Sequence, residues 1–288
     1  MQSGPQNIPL TRRGMVGATF AALTAPAIAR ANAPVTLGLT PVFVDTDLVL
    51  LKAIERELSS RLGRPVVLIK RRTYQEIMAM LLAGQVTAAW ICGYPFIRYR
   101  DQLSVLVTPL YKGVPLYRAY FIARPDVAGD TLESFRGRSH AFSDPDSNSG
   151  WLVTRHLLAE AGATPDSFFS RTFFTYGHRN VVRAVAAGLA DCGSVDGYVW
   201  DVLSEREPEL ARQTRVVLRS APMGFPPIAC LAAARGKPLV EMLGETLRGL
   251  SRDTSGCAVL ELLRLDGFAT AQASLYDTIE AMYRSLPA

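Results

Sequence analysis

Apolar positions along this chain follow two periods, and the switches between them lay out a β-α-β-α-β opening. Val35-Thr36-Leu37-Gly38-Leu39 is a short apolar run. It stops at Thr40-Pro41, where the proline pushes its predecessor out of helical conformation and ends a strand. Leu48, Leu51, Ile54, Leu58 and Leu62 then recur at helical spacing. Gly63 is a natural stop, since glycine takes the left-handed turn after a helix without penalty. Pro65-Val66-Val67-Leu68-Ile69 reads as the next strand. Thr73, with Glu76 three residues on, forms a capping box for a second helix, whose buried stripe is Ile77, Met80 and Leu81 and whose end is Gly84. Ala88-Ala89-Trp90-Ile91 is apolar at every position, as a strand covered on both faces should be.

Residues 116–123 read as another strand, after which Pro125 and Gly129 break the pattern. A second α/β segment follows: strand 139–142, loop 143–148, helix 149–161, an extended stretch at 168–176, helix 180–188 and strand 192–195. Residues 215–218 read as a strand returning to the first segment. A short strand at 228–232 and helices at 239–250 and 276–286 complete the chain. This order predicts an α/β fold of two lobes: 34–123, an inserted lobe at 124–214, and a return at 215–288. Each lobe is expected to be a mostly parallel sheet flanked by helices. Two strands passing between lobes make a hinge, and the whole a clamshell. Ligands of open α/β sheets sit outside the carboxyl ends of the strands, which directs attention to residues 40–47, 71–74 and 92–96.

The amino terminus follows a different pattern. Thr11-Arg12-Arg13-Gly14-Met15-Val16-Gly17 precedes a mildly apolar, alanine-rich run through Ala29 that is interrupted by Thr24 and Pro26. The run is too short and too weakly apolar for a comfortable membrane span. Ala31-Asn32-Ala33 has the small-x-small pattern of a signal-peptidase site. Paired arginines ahead of such a run predict a twin-arginine signal at 1–33, cleavage near Ala33 and a periplasmic protein.

That segment also corrects the charge. Arg12, Arg13 and Arg30 stand among the first 33 residues with no acid, so the formal +5 falls to +2 for the remainder. A nearly balanced surface leaves no footprint for nucleic acid. Lys70-Arg71-Arg72 is the one dense basic run, read as a solvated strand end. With 288 residues, 49% of them hydrophobic, the chain has material for two packed lobes.

The candidate chemistry lies mainly in Ser143-Asp144-Pro145-Asp146-Ser147-Asn148-Ser149-Gly150-Trp151, between a strand and a helix. Ser147, Asn148 and Ser149 are all helix-cap residues. Their polar groups and the first unpaired backbone N–H groups would converge on a small oxyanion, with the helix dipole behind them. His178, near the next helix start, could donate to an oxyanion as a neutral imidazole. Asp196 could take a proton from a ligand oxygen, salt-bridge across the hinge, or simply cap the helix beginning near Tyr198. Gly93 permits close backbone approach, Tyr94 could wall the cleft, and Cys92 is either a small buried hydrophobe or a ligand-facing thiol. Cys92, Cys192, Cys230 and Cys257 have no metal-type spacing, and His140, His156 and His178 have none either. No nucleophile elbow, HExxH, phosphate loop or dinucleotide fingerprint occurs. No metal, cofactor or catalytic residue is expected.

Leu62-Gly63-Arg64-Pro65-Val66, Thr73-Tyr74-Gln75-Glu76, Ala88-Ala89-Trp90-Ile91-Cys92-Gly93-Tyr94 and Asp144-Pro145-Asp146-Ser147-Asn148-Ser149-Gly150 together carry a resemblance, with Gly177-His178 and Val195-Asp196 downstream. From about Val35 to Ala233 the chain resembles the periplasmic phosphate/phosphite/phosphonate-binding proteins, the substrate-binding components of ABC importers. The resemblance implies a type II periplasmic-binding fold that closes on an oxyanion and passes it to a permease. It implies that Ser147, Asn148, Ser149 and His178 hold the anion and that Tyr94 and Asp196 contact it. Cys92 departs from many phosphonate binders. The segment around it is similar to arsenite-sensing members of the same family, which present arsenite to a membrane histidine kinase.

Overall fold

The structure is a computed structural model that describes residues 1, 33–41, 48–270 and 272–286. The expected signal segment through residue 32 and the crevice residues 42–47 lie outside these. Thirteen strands are numbered in chain order: β1 (Val35–Leu39), β2 (Val66–Lys70), β3 (Ala88–Trp90), β4 (Leu103–Leu110), β5 (Leu116–Tyr117), β6 (Ala119–Ala123), β7 (Ser139–Phe142), β8 (Arg171–Phe174), β9 (Cys192–Asp196), β10 (Arg215–Arg219), β11 (Met223–Gly224), β12 (Ile228–Leu231) and β13 (Gly267–Ala269). They form a six-stranded sheet, β13-β4-β12-β3-β1-β2, and a five-stranded sheet, β10-β6-β9-β7-β8. A two-stranded ribbon, β11-β5, lies between them in the chain.

The β-α-β-α-β opening forms as the periodicity requires. β1 pairs in parallel with β2 and β3, in register Leu37↔Leu68 and Leu37↔Ala88. Helix Leu48–Leu62 buries Leu50, Leu51, Leu58 and Leu62. Helix Tyr74–Leu82 carries the capping box in full, with Glu76 N–H on the Thr73 side chain and the Glu76 carboxylate on the Thr73 N–H. Gly63 takes the left-handed conformation expected of a helix stop, at φ 62°.

Each sheet is mixed rather than mostly parallel. The parallel strands (β2-β1-β3, β9-β7-β8) hold the βαβ units, while β4, β12 and β13 are antiparallel in the first sheet and β6 and β10 in the second. Of these, β12 and β13 run against the βαβ direction in the first sheet and β6 in the second, while β4 and β10 run with it and are antiparallel only to their immediate neighbours. β10, read from the sequence as returning to the first lobe, pairs with β6 in the second, Arg215↔Ala123. The return comes one strand later, through β11. β5 and β11 pair at Met223↔Tyr117 and are the two hinge strands.

The larger core fills the first lobe and the hinge around Tyr74, Ile77, Leu106, Phe225 and Tyr276 and continues into the second lobe through Val181, Val185 and Val195. A smaller one under the second sheet is aromatic: Phe121, Phe135, Phe142, Phe168 and Phe169. Among the described residues no helix is long and apolar enough to cross a membrane.

Candidate functional site

The carboxyl ends of β2, β3, β7, β8 and β9 deliver the candidate residues to one buried region between the lobes. Cys92, Ser147, Asn148, Ser149, His178 and Asp196 are each at most 1% exposed. The first lobe contributes Tyr74 and Cys92, the second the Ser147–Ser149 turn with His178 and Asp196, and the hinge ribbon adds Tyr117 and Met223.

The turn after β7 is built to present polar groups. Asp144 Oδ1 accepts from the Asp146 N–H at 2.8 Å, and the Asp144 carbonyl accepts from the Ser147 N–H at 2.9 Å. Ser147 Oγ then caps the following helix by accepting from the Gly150 N–H at 3.0 Å. That helix opens with a π turn over Asn148–Leu152, closed by Leu152 N–H on the Ser147 carbonyl, before α geometry resumes at Val153–Glu160. Such turns widen the backbone and recur at functional sites. A Cβ at Gly150 would stand 1.8 Å from Ser143 Oγ. Only glycine allows the strand end and the helix start to meet this closely.

Three hydrogen-bonding atoms of this turn have no partner although they are buried: Ser143 Oγ, Asn148 Oδ1 and Ser149 Oγ. An unsatisfied buried polar atom costs about 1–3 kcal/mol. Three at one helix start mark a place that favours a polar occupant.

Around them the donors are neutral. Asn148 N–H donates to Cys92 Sγ at 3.1 Å, and Asn148 Nδ2 donates to the Tyr117 hydroxyl at 2.8 Å and to Met223 Sδ at 3.4 Å. His178 Nδ1 accepts from the Asp196 N–H at 3.1 Å, so its proton sits on Nε2 and points to the Tyr74 hydroxyl, 3.2 Å away. Burial drives the imidazole down to about 3, so it is uncharged at neutral pH. Tyr74 accepts from His178 and Tyr117 from Asn148, the side chains of Ser147 and Ser149 lie against the two phenols as well, and burial holds both phenols well above the usual range.

Cys92 lies at the centre of this arrangement. Burial pushes its thiol up to about 12, while the N–H groups of Asn148, Tyr94 and Gly93 pull the other way. The group is therefore a thiol, not a thiolate, at neutral pH. Asp196 caps helix Gly197–Arg206, its Oδ1 accepting from Tyr198 N–H at 2.9 Å and Val199 N–H at 3.3 Å. Burial raises its carboxyl to about 8, above the opposing pull of those two N–H groups. All four cysteines are free, and Cys257 alone is exposed.

The geometry departs from the sequence expectations in three respects. Of the three cap-type residues only Ser147 caps the helix. His178 directs its donor at Tyr74, and so faces the region through that phenol. The Tyr94 ring turns away from the cluster, packing on Tyr283 at 5.4 Å with the Arg98 guanidinium 5.7 Å from its centroid, and only its backbone N–H faces Cys92. Tyr74, Tyr117 and Met223 were not singled out from the sequence. Tyr74 did carry a signal, since it follows the Thr73 cap in a loop already placed at the crevice.

Direct bonds join the lobes beside the cluster. Arg98 Nη1 pairs with Asp146 Oδ1 at 2.5 Å, and Gln75 Nε2 donates to Asp146 Oδ2 at 2.9 Å and to Asp144 Oδ1 at 3.3 Å. The Tyr74 N–H donates to Asp144 Oδ2 at 3.3 Å. The cleft is shut in this structure. Among the described residues no group of His, Cys, Asp and Glu is arranged to hold a metal ion.

A family model described as "ABC transporter, phosphonate, periplasmic substrate-binding protein" matches residues 37–276. The phosphate-import protein PhnD of Mycolicibacterium smegmatis is 26% identical over 190 residues, covering 60% of this chain and 56% of that protein. The chain thus matches little more than half the length of that relative. Among solved structures, the binding component of an ABC phosphonate transporter from Pseudomonas aeruginosa superposes with a TM-score of 0.80 at 20% identity, over 88% of this chain and 86% of that one. PhnD1 from Prochlorococcus marinus, in complex with methylphosphonate, gives 0.78 at 16% identity, over 87% and 97%. These two establish the two-lobe periplasmic-binding fold. With the family model spanning nearly all of both lobes, this chain belongs to the periplasmic phosphonate substrate-binding proteins of ABC transporters.

Proposed function

We propose that this protein captures a phosphorus oxyanion of the phosphate, phosphite or phosphonate kind between its lobes and delivers it to an ABC permease. The observation that carries the reading is the group of three unpartnered buried atoms, Ser143 Oγ, Asn148 Oδ1 and Ser149 Oγ, at a helix start. The hydroxyls can donate to anionic oxygens, and Asn148 Oδ1 can accept from a protonated one. Tyr74 and Tyr117 add two phenolic protons, and the Asn148 N–H becomes a third kind of donor once Cys92 gives way. Charge-assisted bonds of this kind contribute about 1.5–3 kcal/mol each, so three or four reach the ~8 kcal/mol of micromolar affinity. The twin-arginine signal at 1–33 belongs to the same reading, as the route to the periplasm. On this reading Asn148 and Ser149, with Ser143, form the anion side, Ser147 fixes the turn as its helix cap, His178 acts through Tyr74, and Cys92 and Asp196 stand beside them.

Cys92 favours a second reading, since a thiol bonded to Asn148 N–H stands within the cluster. Neutral, thiophilic arsenite, As(OH)3, would exchange one hydroxyl for the Cys92 sulfur, the hydroxyl leaving with the thiol proton as water, and place its remaining oxygens on the serines, and the protein would then present it to a membrane histidine kinase. Melting temperature measured with saturating phosphate, phosphite, methylphosphonate and arsenite separates the readings. A ligand at 100 times its Kd adds about 2.7 kcal/mol of stability. A shift with a phosphorus oxyanion that survives Cys92→Ser supports the importer. A shift with arsenite alone, abolished by Cys92→Ser, supports the sensor. No shift with any of the four contradicts both.

A further inference from the structure

The side-chain amide of Asn148 is held in one orientation. Its Nδ2 donates to the Tyr117 hydroxyl at 2.8 Å and to Met223 Sδ at 3.4 Å. A thioether can only accept, so the nitrogen belongs on the side of the hinge ribbon. That leaves Oδ1 as the other end of the amide, buried and without a partner. An amide oxygen accepts and cannot donate. It repels the bare oxygen of an anion and gains a hydrogen bond only from an oxygen that carries a proton.

The charges of the cluster point the same way. Its titratable groups are Cys92 and Tyr74 from the first lobe, Tyr117 from the hinge, and Asp144, His178 and Asp196 from the second. None of them is a cation at neutral pH, since burial leaves the thiol, the phenols and the imidazole uncharged. Among the described residues no lysine or arginine is buried. The crevice segment 42–47 has no basic residue in its sequence. Arg98 stands at the edge with its guanidinium on Asp146. A second negative charge on the ligand would be buried without a counter-ion, at a cost well above what one hydrogen bond returns.

We infer that Asn148 makes the site selective for singly charged oxyanions that still carry a hydroxyl proton. The P–OH of a phosphite or phosphonate monoanion donates to Asn148 Oδ1, while its unprotonated oxygens accept from Ser143, Ser149 and the phenols. Phosphite and phosphonate dianions, and sulfonates, have no such proton to give. This rests on the oxyanion reading above.

The test is calorimetric titration of the full chain with methylphosphonate, phosphite and methanesulfonate across pH 5–9. Methanesulfonate matches the methylphosphonate monoanion in shape and charge and lacks only the proton. A site that hydrogen-bonds a ligand hydroxyl rejects the analogue without it, so near pH 6 methanesulfonate should bind at least tenfold more weakly. Affinity for methylphosphonate and phosphite should fall about tenfold per pH unit above each ligand's second ionisation. The fall should begin at lower pH for phosphite, the stronger acid in that step. Asp196→Asn removes a buried carboxyl that titrates in the same range and should keep the two separate onsets. Asn148→Ser replaces the acceptor by a hydroxyl that can donate, and should narrow the sulfonate gap severalfold. A melting curve shows whether each variant folds, and the wild-type titrations decide on their own if one does not. A sulfonate gap under tenfold, one onset shared by both phosphorus ligands, or an unchanged gap in a folded Asn148→Ser protein would overturn the inference and leave the oxyanion site standing. Failure of methylphosphonate and phosphite to bind at any pH would overturn both.

Discussion

Asp196 holds both of its capping bonds on Oδ1 and is 1% exposed, and burial lifts its carboxyl from 3.8 to about 8. At neutral pH the group is mostly protonated, which lets an anion approach a cluster that has no buried cation in it. The consequence for stability has a definite sign. Between about 4 and 8 the folded state keeps a proton that the unfolded state has lost, so this residue makes stability fall as pH rises, by about 1.4 kcal/mol per pH unit at most. His140 and His178, both held down to about 3, act oppositely below 6.5 and make stability rise with pH there. Asn caps helices as well as Asp, so Asp196→Asn should fold. Chemical denaturation across pH 4–9 should show the wild type losing stability relative to Asp196→Asn up to about pH 8, then a constant difference. Parallel curves for the two proteins would contradict the raised carboxyl. The positions of Ser147, Cys92, His178 and Asp196 at strand ends or helix starts were legible in the sequence, and their roles toward a ligand belong to the proposed function. Tyr117 was not legible, and Tyr74 only through its place after the Thr73 cap, because a phenol declares its purpose only through a partner distant in sequence, here Asn148 and His178.

At the scale of elements, the helix Tyr74–Leu82 does two things. Its capping box fixes Thr73, and its first turn meets the Asp144–Asp146 turn of the other lobe through Tyr74 N–H and Gln75. Arg98, at the end of helix Gly93–Arg98, closes the same contact on Asp146. These bonds favour the shut cleft without touching the cluster. The Arg98 side chain is partly exposed, so the pair contributes only about 0.5–1 kcal/mol. Arg98→Gln should therefore weaken oxyanion binding about two- to fivefold and shift the unliganded protein toward a larger radius of gyration in solution scattering. An unchanged affinity would mean that Arg98–Asp146 does not help set the opening equilibrium. The helix pattern at Tyr74 was readable from Thr73 and Glu76. Strand β4 was not, since Pro109 reads as a strand breaker, although it lies opposite Phe268 of β13. Helix Thr254–Leu263 was hidden by Gly256, which a Cβ would drive into the Leu250 carbonyl at 2.1 Å.

Over the whole molecule, the two βαβ units could be read from periodicity, but the sheets that β6 and β10 join could not: residues 116–123, read as one strand of the first lobe, divide into β5 and β6, and β6 lies in the second sheet. A period of two says that a residue faces a core and is silent about which strand pairs with it. β10 joins β6 in the second sheet, and the crossing passes to the short β5/β11 ribbon. That ribbon carries Tyr117 and Met223, both bonded to Asn148, so the hinge itself reaches the cluster. Under the proposed function, ligand capture and lobe closure are one event, with a ligand drawing an open–closed equilibrium toward the shut form. The central claim is that the turn Ser147–Ser149 holds the anion. Calorimetric titration with methylphosphonate, comparing the intact chain with the double variant Ser147→Ala, Ser149→Ala, tests it most directly. The account predicts micromolar binding to the intact chain and a loss of about a hundredfold in a variant that still unfolds cooperatively. Equal affinity in the two proteins would contradict it.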